Sequence, residues 1–487
     1  MCSMKYFISV FVPVLLSLFS YNSYAQQPNV YPGFNDEINK RIGEDSTSKL
    51  YVSSISITGN RRTKGYIIMR EMKFQAGDSI IAARLFDLVE QSKALIHNTS
   101  LFSETEVTPV LISAREVVIK IRVLEKIYIY PTPQFKLVDR NINEWLKTYH
   151  ADFNRVEYGA KFAHYNFSGR GDKLRIYLLN GYARAASFSY TAPSSNGALN
   201  EGFSVTGTYL QSRRFNYKTD STNKLVEFKK DGFVKNNLIL GASYQRRRGF
   251  FRRNTYSVYY NFINVNDSVT TIAYNPHYIN SVKSSVGYFD IQYDYQYSNT
   301  NNVSFPLKGK IIKATILKRG LGFKGGVNML SLDGGLAFYL PLKKNWYNSI
   351  ELKANIKLPF EQPFINQNEL GYRDFYLRGL EYYVIDGVAA AVSKYTLKKK
   401  LVSFFIPFPF GIKKIPRIPF TIFAKTYADI GYSYNKKEFD SKLGNRFLYT
   451  GGFGIDILSL YDTTLGLEYS FNQLGENGLF LHAKALF

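Results

Sequence analysis

The sequence predicts a transmembrane antiparallel β-barrel of about sixteen strands with one small α+β domain at its N-terminal side. Three observations carry that expectation. Aromatic residues make up 16% of the 487 residues, with 39 Tyr and 38 Phe against 2 Trp, and such side chains favour strands. From about residue 151 onward apolar and polar residues alternate with a period of two, broken by clusters of Gly, Asn, Asp and Pro. Beyond the N-terminus no stretch offers about 18 uninterrupted apolar residues, so a membrane-embedded form must pair its backbone groups as a barrel.

Taken in order, residues 1–25 read as a secretory signal peptide. Lys5 is the positive end, Phe7 to Phe19 the apolar run, and Ser23-Tyr24-Ala25 the cleavage site. A membrane-anchoring helix is the weaker reading, because the run is short and holds Pro13. The single cysteine, Cys2, lies inside this signal, which leaves the mature chain without a disulfide framework or a thiolate metal site. Residues 26–50 are polar and turn-rich and read as a periplasmic linker.

Residues 51–126 change texture. Val52, Ile55 and Ile57 alternate up to a Gly59-Asn60 turn, and Ile67, Ile68 and Met72, then Leu85, Leu88, Val89 and Leu95, follow helical spacing. Two further alternating runs, Phe102 to Val110 and Glu116 to Leu124, complete an expected β-α-α-β-β domain. Residues 127–150 read as a connector and 151–487 as the barrel.

The last strands show the barrel pattern best. Leu465, Leu467, Tyr469 and Phe471 share one face, with Thr464, Gly466, Glu468, Ser470 and Asn472 opposite. In the terminal strand Leu479, Leu481, Ala483, Ala485 and Phe487 face one way, and Phe480, His482, Lys484 and Leu486 the other. A soluble sandwich or propeller would bury both faces of many strands, and too many here are half polar. Counting strands from Arg155 by parity puts Tyr165–Asp172 outside, Thr219–Gly232 as a long inside turn, Asn301–Gly309 inside, and residues 361–387 outside between strands eleven and twelve.

The formal charge of +24 falls to +23 once Lys5 leaves with the signal. The positive residues are dispersed or sit in loop clusters such as Arg246-Arg247-Arg248, which suits acidic lipid headgroups or solvent. No recognition motif points to nucleic acid. His97, His150, His164, His277 and His482 have no metal-ligand spacing, and no nucleophile elbow or phosphate loop occurs. The expectation is no enzyme, with no catalytic residue, cofactor or metal, and with His482 lining the lumen.

Several motifs in order resemble the BamA/TamA superfamily of outer-membrane POTRA-barrel proteins, the bacterial surface antigen type. The first domain resembles a POTRA module at Gly59, Asn60, Thr63, Gly77, Asp78, Leu95, Phe102 and Glu125. The barrel resembles the family at the "NFSGRGD" loop, the "FPLKG" turn, the "YLRGL" motif (Leu377, Arg378, Gly379, Leu380) and the terminal Phe487, an assembly signal. The resemblance implies that the arginine loop folds into the lumen and that Arg378 pairs with an acid on the thirteenth strand. "YADIG" offers Asp429, with Gly431 on the same face.

It also implies a function: assembly, insertion or translocation of polypeptides at the outer membrane of a Gram-negative cell, with the POTRA domain in the periplasm. A client strand would enter through a lateral seam between the first and last barrel strands. Expected partners are unfolded or nascent outer-membrane or secreted polypeptides, outer-membrane lipids, and periplasmic or lipoprotein partners at the POTRA domain. A dedicated single-substrate secretion pore, or a passive channel with a POTRA docking handle, remains the alternative. The chain departs from the family pattern in Leu380, where an aromatic is usual, in Lys394, near a usual glutamate, and in having one POTRA domain.

Overall fold

The computed structural model describes residues 45–137, 150, 153, 156–281, 283–323, 325–372, 374–407, 417–436 and 441–484. The expected signal, most of the linker and Phe487 lie outside the described residues.

The N-terminal domain runs β1 (Lys49–Thr58), α1 (Gly65–Met69), β2 (Ser79–Ile81), α2 (Ala82–His97), β3 (Phe102–Leu111) and β4 (Glu116–Glu125). Its sheet order is β2-β1-β4-β3, with β1 and β4 parallel. Leu85, Val89 and Ile96 form the apolar stripe of α2 and bury against a core that includes Phe102, Val117, Ile119 and Ile121. The expected β-α-α-β-β order lacks one element. β2 pairs with Lys49–Tyr51 over three residues, too few for any periodicity to show.

Sixteen strands then form one antiparallel sheet. The first five are β5 (Ile129–Leu137), β6 (Val156–Tyr165), β7 (Lys173–Gly181), β8 (Ala183–Ala192) and β9 (Glu201–Ser212). A separate hairpin of β10 (Arg214–Thr219) and β11 (Leu225–Lys229) follows. The wall resumes with β12 (Lys235–Arg248), β13 (Arg252–Val265) and β14 (Ser285–Thr300), then β15 (Gly309–Arg319), β16 (Met329–Pro341) and β17 (Trp346–Leu358). A long loop carries the short pair β18 (Asn368–Leu370) and β19 (Ile385–Asp386). β20 (Ala389–Pro407), β21 (Arg417–Tyr434), β22 (Phe447–Leu458), β23 (Thr464–Asn472) and β24 (Asn477–Lys484) complete the wall.

The sheet curls into a barrel, and the N-terminal domain sits at one end of it, touching its turns and strand ends at widely separated points. Arg62 meets the turn after β6, Glu71 the end of β12, Asn98 the end of β14, and Lys126 the turn after β22. The two faces of the wall have opposite chemistry. Leu465, Leu467, Phe471, Leu479 and Leu481 are exposed outward, whereas Glu468, Ser470, Asp456 and Asp290 are buried inward. Apolar outside and polar inside is the pattern lipid demands.

Three expectations need correction. β5 lies in the stretch read as a connector, and it is the first strand of the wall. Pro131 and Pro133 hide it, because proline is tolerated only on an edge strand. Its omission inverts the early parity. Residues 165–172 therefore face the N-terminal domain rather than the outside, and the segment at 219–232 is at the opposite end, built on the β10–β11 hairpin. The expected count runs one strand high before Asn301, which restores parity. Residues 301–309 sit at the domain end, and the 359–388 loop lies at the far end between the eleventh and twelfth strands.

Candidate functional site at the arginine loop and the barrel seam

The loop between β17 and β20 turns back into the lumen and closes on the inner faces of β20, β21 and β23. Arg378 is the centre of the closure. Its Nε donates to Asp429 Oδ2 at 2.9 Å, its second terminal nitrogen donates to Oδ1, and its backbone N–H donates to Oδ2 at 3.0 Å. The other terminal nitrogen donates to Thr396 Oγ1 at 3.0 Å, and the guanidinium lies 3.9 Å from the Tyr427 ring centroid. Asp429 is 0% exposed. Planar, charge-assisted pairing suits arginine and not lysine.

Neighbouring positions explain the rest of the motif. Gly379 has φ +88°, and a Cβ there would stand 2.9 Å from Ser470 Cβ, so the loop lies against β23 where a side chain has no room. Its carbonyl accepts from Asn472 Nδ2 at 2.9 Å. Leu377 and Leu380 are buried with Leu370, Ile385 and Leu448 in an apolar plug at the far end. Leu380 is 3% exposed within this plug, while Tyr383 is buried and donates to Glu476 Oε1 at 2.6 Å. Tyr382 is exposed, with its ring centroid 5.4 Å from that of Phe480 on β24. Gly431 gives Leu377 its place, since a Cβ at Gly431 would come within 3.0 Å of Leu377 Cδ1.

A second polar layer lies toward the domain end. Lys425 bonds both Asp456 and Glu468, and Lys398 Nζ reaches Asp456 at 2.8 Å. His482 Nε2 stands 3.3 Å from Glu381 Oε1 and 3.4 Å from Glu468 Oε2. Glu381, Glu468 and His482 are the group among the described residues that could hold a cation. Lys425 already neutralises Glu468, and the trio reads as a charge clasp tying the loop to β24. Lys394 lies across from Asp429 in the ladder, with its Nζ 4.0 Å from the Tyr376 ring centroid. Beside these groups an open lumen of about 1060 Å³ remains, lined by Lys313, Lys353, Lys394 and Lys398.

The N-terminal domain docks through the other quoted motifs. Glu125 accepts from the backbone N–H groups of Arg62 and Thr63, at 3.0 and 2.7 Å, and from Thr63 Oγ1. This fixes the loop after Gly59-Asn60, whose Asn60 Nδ2 donates to Thr63 O. Against it lies the "NFSGRGD" turn: Lys64 N–H donates to Gly169 O at 3.0 Å and Asn166 Nδ2 to Thr63 Oγ1 at 2.9 Å. A Cβ on Gly169 would meet Arg62 O at 2.5 Å. Glu71 forms a buried two-point pair with Arg247. Asp78 accepts from Gln75 N–H at 2.7 Å in the turn around Gly77, and Phe102 is fully buried, so these motif positions are structural.

Among the described residues no ladder bond joins β5 to β24, the two ends of the sheet. A lumen loop anchored on the C-terminal wall thus stands beside one of the two ends of the sheet.

A family profile described as an Omp85 superfamily domain matches residues 166–383, and one described as a surface antigen variable number repeat, the POTRA module, matches residues 50–126. The chain belongs to the Omp85 superfamily. Omp85 proteins act in outer-membrane insertion or translocation of polypeptides, as assembly factors rather than enzymes. No curated protein matches the chain. Among solved structures it is similar to BamA from Haemophilus ducreyi lacking POTRA domains 1–3, at 14% identity over 89% of this chain and 84% of that one (TM-score 0.48). It is also similar to CdiB from Escherichia coli, at 10% identity over 89% and 75% (TM-score 0.49), and to CdiB from Acinetobacter baumannii, at 11% over 90% and 73% (TM-score 0.43).

Sequence reasoning brings Arg378 and Asp429 together, and the structure places them in contact. It passes over Thr396, Lys425, Asp456 and Glu468 as partners, although Lys425 and Glu468 fall on the inward faces of their alternations. A cross-check for paired opposite charges on inward faces would have found them.

Proposed function

We propose that this Omp85 protein inserts polypeptides into the outer membrane, or passes them across it, through the seam between β5 and β24, with its POTRA domain in the periplasm. The observation that carries the reading is the lumen loop held on the C-terminal wall beside sheet ends that are not paired among the described residues. Arg378 and Asp429 fix the loop, and the Glu381–His482–Glu468 clasp ties it to β24. Opening the seam then exposes a strand edge while the far end stays plugged. A client segment that pairs with that edge keeps its backbone groups satisfied as it enters lipid. The POTRA strand β3, at one end of its sheet, offers a similar edge to clients or periplasmic partners.

Depletion of the protein followed by quantification of the outer-membrane proteome tests this. A broad fall in barrel proteins is the result expected of a general assembly factor, and loss of one protein or a small group that of a dedicated exporter. An unchanged proteome, together with a stable open conductance in planar bilayers, would replace the reading with a passive channel.

A further inference from the structure

Three side chains from three separate elements converge in the clasp. Glu381 comes from the loop between β17 and β20, Glu468 from β23 and His482 from β24. His482 Nε2 stands 3.3 Å from Glu381 Oε1 and 3.4 Å from Glu468 Oε2, and one ligand atom from each residue lies within 4.8 Å of the others. All three atoms are buried, yet none has a hydrogen-bond partner. Glu468 as a whole is only 4% exposed. A protonated imidazole has a single Nε2–H, which would align on one carboxylate, and here it aligns on neither. Orphaned buried polar atoms are costly unless something else satisfies them.

The other oxygen of each carboxylate is already held. Lys425 Nζ donates to Glu468 Oε1 at 2.5 Å, and Gly379 N–H donates to Glu381 Oε2 at 2.7 Å. Each carboxylate is thus fixed through one oxygen and turns the second toward His482. Metal-binding carboxylates are oriented in this way, by hydrogen bonds from outside the site. The His482 ring is in turn set against Tyr376, with centroids 5.9 Å apart and planes 21° from parallel. Lys425 does not supply all the missing charge. It is shared with Asp456, which also takes Lys398, so two ammonium groups face three acids. Separations of 3.3 and 3.4 Å are those expected along the edges of a tetrahedron with metal bonds of about 2.0–2.1 Å. An imidazole beside two carboxylates suits a transition cation, whereas calcium and magnesium take oxygen ligands.

We infer that Glu381, Glu468 and His482 form a binding site for a divalent transition-metal cation, with Zn²⁺ the best match to the donor set. Glu381 and His482 also line the open lumen of about 1060 Å³, which leaves a fourth position to water. A cation held there joins the arginine loop to β23 and β24 at one point, so the strength of the clasp follows metal occupancy. The site stands on its own geometry, whether or not polypeptides cross at the seam.

The test uses full-length protein purified without a histidine tag, stripped with chelator and titrated with ZnCl₂ by calorimetry. One equivalent per chain is expected to bind, with affinity lowered about tenfold or more in Glu381→Gln and in His482→Gln. His97→Gln, beside Asp462 at the contact with the N-terminal domain, is the control and should bind as the parent does. Co²⁺ reads the parent site without any substitution. The visible bands of a tetrahedral ion are expected, and one equivalent of Zn²⁺ should bleach them. Zn²⁺ should also slow amide exchange across Gly379–Tyr383 and along β24, and chelator should reverse the effect. Three results overturn the inference: no saturable binding in the parent, a Co²⁺ spectrum no different from that of the free ion, or full affinity in both Glu381→Gln and His482→Gln. Affinity lost equally in His97→Gln would also overturn it. The clasp is then an ion pair alone, and the seam reading is untouched.

Discussion

At the scale of single residues the decisive contact is Arg378 with Asp429. Both are buried, so removing one strands the other at a cost of about 3–5 kcal/mol. Arg378→Ala should lower the thermal midpoint of the folded barrel in detergent, and Arg378→Ala with Asp429→Ala should cost less than the two single changes added together. Arg378→Lys should rescue little, since one ammonium cannot span both carboxylate oxygens and Thr396. A lysine variant as stable and active as the parent would sink the planar-pairing account. Gly379→Ala adds a Cβ 2.9 Å from Ser470 Cβ at φ +88°. The left-handed backbone alone costs about 1–2 kcal/mol, so Ser470→Gly should restore only part of the lost stability.

At the scale of elements the question is how the POTRA domain is held to the barrel mouth. Glu71 and Arg247 form a pair that is 3% and 9% exposed, and Gly169 lets the "NFSGRGD" turn touch the backbone at Arg62. Arg247→Ala should release the domain, read as faster amide exchange at Arg62–Lys64 and faster proteolysis between the domain and the wall, with the barrel itself intact. Gly169→Val should do the same through the clash with Arg62 O. If neither variant changes exchange at Arg62–Lys64, these contacts do not set the docking.

Much of this level was legible in the sequence, and the reason is locality. The alternation in β23 and β24 is written within nine residues, and so is the inward face of Lys425, Tyr427 and Asp429 on β21. What was not legible depends on pairing between distant segments. β5 is disguised by its prolines, and β2 is too short for periodicity. Missing β5 inverted the sidedness of the turns at 165–172 and 219–232. The ties of Lys425 to Asp456 and Glu468 depend on register across three strands, which no local pattern records. The Arg378–Asp429 pairing came from family resemblance, not from spacing.

At the scale of the whole molecule, loop, clasp and edges form one arrangement. The lumen loop is secured to the C-terminal wall, β5 lacks two backbone donors at Pro131 and Pro133, and among the described residues the sheet ends are not paired. Each ladder bond absent between the described residues of β5 and β24 forgoes about 0.5–1.5 kcal/mol of net stabilisation. Glu381→Gln with His482→Gln should loosen the clasp and raise accessibility of thiols placed on β24, without unfolding the wall. The central claim is that polypeptides pass through this seam, and bridging it tests that most directly. Phe135→Cys on β5 and Leu479→Cys on β24 are treated with thiol crosslinkers of increasing span in cells that rely on this protein, and the outer-membrane proteome is then quantified. The account predicts loss of client barrel or surface proteins on bridging, and their return with a cleavable linker once reductant is added. Unchanged client levels with the seam fully bridged would contradict it.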